Sequence, residues 1–177
     1  DQLRQRVAYS LGQIVVTSAN KLIYADEILP WMRLLSKHAF GNYREFLKEV
    51  SVSPSMGKYL DLANSVKPGL AGGANENYPR ELMQLFSLGL WLLNPDGTQM
   101  KDGNNQPIPT YTQDTVAQVA LALTGWTYKG NNPNGLNWEN FTAPMEPRQT
   151  YHSTVAKTFL GVTLPAKETQ GGKELEE

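Results

Sequence analysis

Apolar side chains at Leu3, Val7, Leu11, Ile14 and Val15 share one face of a 3.6-residue repeat, with Arg4, Arg6 and Gln13 off it. The spacing predicts a helix from Gln2 to Thr17. Ile28, Trp31, Met32, Leu35 and Ala39 form the next stripe, capped by Asp26, with Pro30 near the first turn and Gly41 as the stop. Asn42 then starts a short helix carrying Tyr43, Phe46, Leu47 and Val50. Ser53-Pro54, a cap followed by proline at the first helical position, leads into Met56, Tyr59, Leu60 and Leu62. Four helices therefore precede residue 64.

Pro68, Gly69, Gly72 and Gly73 make 64–74 a loop, and Asn75 or Asn77 caps the helix after it. There Tyr78, Leu82, Leu85, Phe86 and Gly89 are expected to face inward, with Asn77, Arg80, Glu81 and Gln84 on the other side. From Trp91 to Tyr111 the pattern changes to turn chemistry, Asn94-Pro95-Asp96-Gly97 and Asp102-Gly103-Asn104-Asn105, between short runs. That predicts a small β-meander inserted between two helices. Thr112 caps a helix with Val116, Val119, Ala120 and Leu123 as its stripe and Gly125 at its end. Residues 127–151 read as a long irregular loop anchored by Trp138 and Phe141. The run from His152 to Leu164 includes a short extended piece, and a last helix begins near Lys167. The expected fold is mainly α: a single orthogonal multi-helix domain over 1–177 with the meander at 91–111.

Composition narrows the chemistry. The chain of 177 residues is large enough to bury a core without staples. Sixteen basic and seventeen acidic side chains leave a net charge of −1 with no run of either sign, which points away from nucleic acid and membrane surfaces as partners. There is no cysteine, so disulfides, thiolate metal sites and a cysteine nucleophile are excluded. No apolar run is long enough for membrane insertion, and the first residues lack the regions of a signal peptide. The chain opens already in helical register and closes on Lys173-Glu174-Leu175-Glu176-Glu177, the look of another helix beginning, so both ends read as truncated.

The densest chemistry is NENYPRELMQLFSLG, Asn75 to Gly89. Glu76 reaches Arg80 across one turn and Glu81 follows about 100° round the helix. The simpler reading is an ion pair near a helix N-terminus. The sharper one is a carboxylate held by a fixed arginine, able to act as acid, base or metal ligand once shielded from water. His152 lies in a loop-like segment ahead of Lys157, where it either bonds structurally or serves a site. Glu81 and His152, oriented by Arg80, form the candidate catalytic set. Asn75, Glu76, Asn77, Trp126 and Lys157 form the candidate ligand-binding set. Trp126 could stack a sugar or peptide ring, though a tryptophan ending a helix is more often core. With two histidines and no HxH or HxxxH spacing, a zinc site has no support, and no cofactor is indicated. The GxSxG, P-loop and dinucleotide motifs are absent.

Five segments together, LRQRVAYSLGQIVV, AFGNYREFLKEVSVSPSMGKYLD, NENYPRELMQLFSLGLWLLNPDGT, PTYTQDTVAQVALALTGW and HSTVAKTFLGVTLP, resemble the bacterial family catalogued as domain of unknown function 1800. The resemblance covers nearly the whole chain. It implies a mostly helical protein, made with an export signal and placed in the periplasm or outside the cell, and often encoded beside a second family resembling sulfatases. Two departures stand out: Pro79 replaces a small helix former, and Ser153 stands where an acidic residue is common. The family's tryptophan- and histidine-rich upstream helix is not in this sequence. Two functions follow as expectations. One is a binding or scaffold component whose partners are other segments of its own chain or an envelope protein. The other is a hydrolase acting on an envelope or extracellular polymer.

Overall fold

A computed structural model describes residues 1–166 of the chain; the helix expected from Lys167 lies outside them. Among the described residues there are six α-helices and two small antiparallel pairs of strands, so the protein is mainly α with small β-hairpins. α1 (Gln2–Ile14) packs on α2 (Ala25–Lys37). α2 packs on α4 (Pro54–Tyr59), and α3 (Tyr43–Val52) packs on α4 as well. α5 (Asn77–Gln84) packs on α6 (Gln113–Ala122). β1 (Trp126–Thr127) pairs with β2 (Glu146–Pro147), and β3 (Lys157–Phe159) lies against α6 while pairing with β4 (Val162–Leu164). One core joins these groups through Val15, Trp31, Phe46, Val50, Met56, Tyr78, Met83, Phe86, Val116 and Trp126.

Local signals place several elements where the sequence puts them. The Asn42 side chain accepts hydrogen bonds from the amides of Arg44 and Glu45, satisfying two donors the helix start would leave open. Thr112 caps α6 by accepting from the Thr115 amide. Pro54 is the first residue of α4, where its missing N–H costs nothing. Pro79 occupies the third position of α5, still within the turn whose N–H groups have no intrahelical partner.

Other expectations are corrected. α1 ends at Ile14 rather than Thr17, and Leu3 and Ile14 are exposed, because the helix buries only a narrow face around Ala8. Tyr24, not Asp26, is the cap of α2. The helix carries Pro30 as its sixth residue and ends at Lys37, with His38 as its cap, before Gly41 is reached. Met32 faces solvent. In α5 the inward residues are Tyr78, Pro79 and Met83, with Phe86 just beyond; Leu85 is exposed because the helix stops at Gln84 and the chain turns away. Trp138 does not anchor the long loop: it is 94% exposed, whereas Phe141 is buried as expected.

The meander forms through isolated antiparallel bridges, Trp91 to Pro109, Leu93 to Gln99 and Lys101 to Pro107, rather than continuous strands. Three segments bond in a ring: the Leu92 amide donates to Ile108, the Ile108 amide to Met100, and the Met100 amide to Leu92. The Thr110 amide donates to the Leu90 carbonyl at 3.0 Å and closes the neck. Every residue from 90 to 106 is exposed, so the element projects from the body and adds nothing to the core.

Candidate functional site

The sequence-derived site residues meet α6 at several places along its ten residues, about 15 Å: Glu76 and Arg80 at its start, Lys157 beside it, and Trp126 and His152 just past its end. At its N-terminal end, Arg80 Nη2 donates to Glu76 Oε2 at 2.8 Å and to Gln113 Oε1 at 2.9 Å, while Gln113 Nε2 donates to the same Glu76 oxygen at 2.8 Å. The triangle ties α5 to the first residue of α6. Below it, Asn75 and Asn77 fasten the helix start to the preceding loop. The Asn75 amide donates to Ser65 Oγ, the Asn77 amide to Asn75 Oδ1, and Asn77 Nδ2 to Asp61 Oδ2.

Glu81 lies deeper. Its Oε2 is buried without a hydrogen-bond partner among the described residues, as are Thr110 Oγ1 and Tyr111 Oη at the foot of the meander. Burial raises the Tyr111 phenol above its ordinary pKa; the Arg80 charge opposes this and the Glu81 charge reinforces it. The arrangement can hold a water or a small hydrogen-bonding group, since unpaired buried polar atoms are costly.

At the other end of α6, the LTGW signature makes a knot. The Gly125 amide donates to the Ser65 carbonyl, the Asn64 amide to the Trp126 carbonyl, and the Arg148 amide to the Gly125 carbonyl, at 2.7 to 2.8 Å. Gly125 has φ +89°, a left-handed conformation, and a β-carbon there would sit 2.9 Å from the Arg148 carbonyl oxygen and 3.0 Å from the His152 amide nitrogen. His152, 1% exposed, pairs its Nδ1 with the Thr124 carbonyl oxygen at 2.8 Å. The Ser153 amide donates to Thr124 Oγ1. Lys157 is equally buried and donates from Nζ to the Ser153 carbonyl at 2.8 Å. Trp126 is in the core, its ring turned from solvent.

Glu76 and Arg80 are thus brought together with Gln113, Trp126, His152 and Lys157 gather around the knot, and Asn75 joins the two through Ser65. Arg80 meets the start of α6 while His152 bonds just past its end. The geometry supports bracing at both places: an inter-helix ion pair and a buried joint between distant segments. The burial of His152 was not legible, because its partner Thr124 lies 28 positions away; Lys157 bonds to nearby Ser153 but is covered by α6, which β3 packs against. Among the described residues no group of three His, Asp or Glu side chains is placed to hold a metal ion, and no helix is long and apolar enough to cross a membrane.

Because the Glu76 and Arg80 side chains are 36% and 40% exposed, water screens their pair. Glu76→Gln is expected to cost less than about 1 kcal/mol in urea unfolding. A loss of several kcal/mol would show that the triangle does more than brace two helices.

A family model described as "Protein of unknown function (DUF1800)" matches residues 1–177. No curated protein and no solved structure matches the chain.

Proposed function

Because this chain belongs to the DUF1800 family along its whole length, whose function is unassigned, we propose a role read from its surface: a binding or scaffold component of the bacterial cell envelope or extracellular space. It works through the projecting meander rather than through a reaction centre. The observation that carries this reading is the stretch 90–106, every residue of it exposed although it contains Leu90, Trp91, Leu92, Leu93 and Met100. Leu85 and Leu88 extend it at the base. Scattered apolar residues are ordinary on a protein surface, but several exposed ones gathered in one projecting element mark a place where another surface can dock. Covering each of these partly exposed side chains is worth about 1 kcal/mol, enough in sum for a specific contact. The partner is a further segment of the same polypeptide or an envelope protein.

The hydrolytic alternative rests on the buried, unpartnered Oε2 of Glu81. Of the groups named with it, Tyr111 and Arg80 act electrostatically on the same place, whereas His152 is buried and bonded to the Thr124 carbonyl past the end of α6.

The test uses the intact protein in its source cells, with a photoreactive side chain in place of Met100. The expected result is a discrete cross-link that is lost in Leu93→Asp, while that substitution changes unfolding free energy by no more than about 0.5 kcal/mol. Absence of a cross-link, or one indifferent to Leu93→Asp, overturns the meander as the contact surface.

A further inference from the structure

A second surface, which shares no lining residue with the meander, has a different chemistry. The N-terminal end of α2 and the loop 129–142 line an open cleft of about 570 Å³. It continues along α2 past Leu29, Pro30 and Arg33 as a further opening of about 470 Å³, the two sharing Asp26, Phe141 and Thr142. From Asp26 to Arg33 the helix advances about 10 Å, so the groove suits an elongated molecule. Each wall offers an aromatic ring to solvent: Tyr24, 63% exposed, from the helix side and Trp138, 94% exposed, from the loop.

A lone exposed tryptophan is unremarkable by itself. Here, however, the backbone around it is fastened. The Asn137 amide donates to Thr127 Oγ1, its Nδ2 donates to the Tyr128 carbonyl, its Oδ1 accepts from the Asn132 amide, and Asn140 Nδ2 donates to the Lys129 carbonyl. A loop stitched this closely could have turned its indole inward; it holds the ring out on a pre-organised support instead.

Charges within the groove largely cancel. Lys129 pairs with Glu146, and Lys58 with both Glu27 and Glu139. That leaves the carboxylate of Asp26, the amide of Asn131, the Tyr24 hydroxyl and the Trp138 indole N–H as acceptors and donors between two flat rings. Flat rings stack on the apolar C–H faces of a pyranose, and planar amides and carboxylates bond to its hydroxyls. Along the two openings Asp26 and Arg33 add one charge of each sign, so the groove favours neither a strongly anionic nor a strongly cationic ligand, and a purely apolar one has too much polar lining. We propose that this groove binds a neutral carbohydrate oligomer, with Trp138 and Tyr24 as stacking platforms and Asp26 and Asn131 bonding to hydroxyls.

The test is titration of the intact protein with β-1,4-linked hexasaccharides of glucose and of N-acetylglucosamine, followed by calorimetry and tryptophan emission. The expected result is binding of at least one probe with a dissociation constant below about 1 mM, a blue shift in emission, and an affinity at least about tenfold weaker in Trp138→Ala, about 1.4 kcal/mol. Tyr24→Ala is expected to weaken binding and keep the emission shift. Both side chains are at the surface, so either variant folds and the comparison stands. If neither hexasaccharide binds, or if Trp138→Ala binds as tightly as the parent, the proposal is wrong. Neither outcome bears on the meander, which lies outside the groove.

Discussion

Gly125→Ala is expected to lower the stability of the fold by roughly 3 kcal/mol. An L-residue held left-handed costs about 1–2 kcal/mol, and forcing atoms into a filled site adds about 1–3. Both apply: φ is +89°, and the new β-carbon would press on the Arg148 carbonyl and on the backbone and side chain of His152. Backbone atoms on the far side cannot swing clear as the end of a flexible side chain can. For a chain of this size the loss corresponds to a fall of about 6–12 °C in midpoint temperature. Gly161→Ala supplies the contrast, since Gly161 has φ +81° with open space around it. That variant is expected to show the conformational cost alone, about 1–2 kcal/mol. If the two variants unfold at the same urea concentration, the close approach at Gly125 has no energetic weight.

The second large effect concerns Lys58. Glu27 is 3% exposed and receives the Lys58 ammonium at 2.7 Å, while the same ammonium reaches Glu139 at 2.8 Å and lies 5.6 Å over the Phe141 ring. Burial alone would raise the Glu27 carboxyl. The Lys58 hydrogen bond, the Tyr24 amide, the Lys58 charge and the Ile23 amide outweigh it and hold the pKa below its ordinary 4.5. Burial works against the Lys58 ammonium too, and Glu139 and Glu27 raise its pKa above 10.5 in spite of it.

Lys58→Met keeps the stem and strands a buried carboxylate, so it is expected to cost about 3 kcal/mol at neutral pH. The direction with pH follows from linkage. A carboxyl with a depressed folded pKa gives stability that is present above 4.5 and lost as pH falls through the folded value. An ammonium with a raised one gives stability that is present below 10.5 and lost as pH climbs through its folded value. The deficit of Lys58→Met should therefore be largest between those limits and shrink in acid, once Glu27 is neutral in both proteins. Urea midpoints at pH 7 and in acid decide it: a deficit unchanged by acid would mean that the lysine stem, not its charge, is what matters.

Most of what was readable along the chain was local. Asn42 and Thr112 start helices through side-chain bonds within three residues of themselves, Pro54 starts one by its place as first helical residue while the Ser53 side chain makes no capping bond, and the Asn-Pro-Asp-Gly and Asp-Gly-Asn-Asn turns form the meander by the same short-range logic. Which face of α5 turns inward was only partly readable. Periodicity carries Leu85 to the core side, but the helix ends one residue earlier and that side chain emerges into solvent. His152, Lys157 and Trp138 depended on tertiary partners. Two polar side chains looked available in a loop and are enclosed; a tryptophan looked like ballast for the interior and stands outside. The candidate site suffered for the same reason: Glu76 and Arg80 pair as their spacing predicts, yet their tie to Gln113 spans 33 positions or more and leaves no periodic trace.

The neck of the meander has a consequence for the history of such chains. Since Leu90 and Thr110 already touch where the excursion leaves and rejoins the body, whatever lies between them can be lengthened, shortened or exchanged while α5 and α6 keep their seating, and extra loop length adds little entropy cost. The surface of this element can therefore change its length and side chains without disturbing the residues buried in the core.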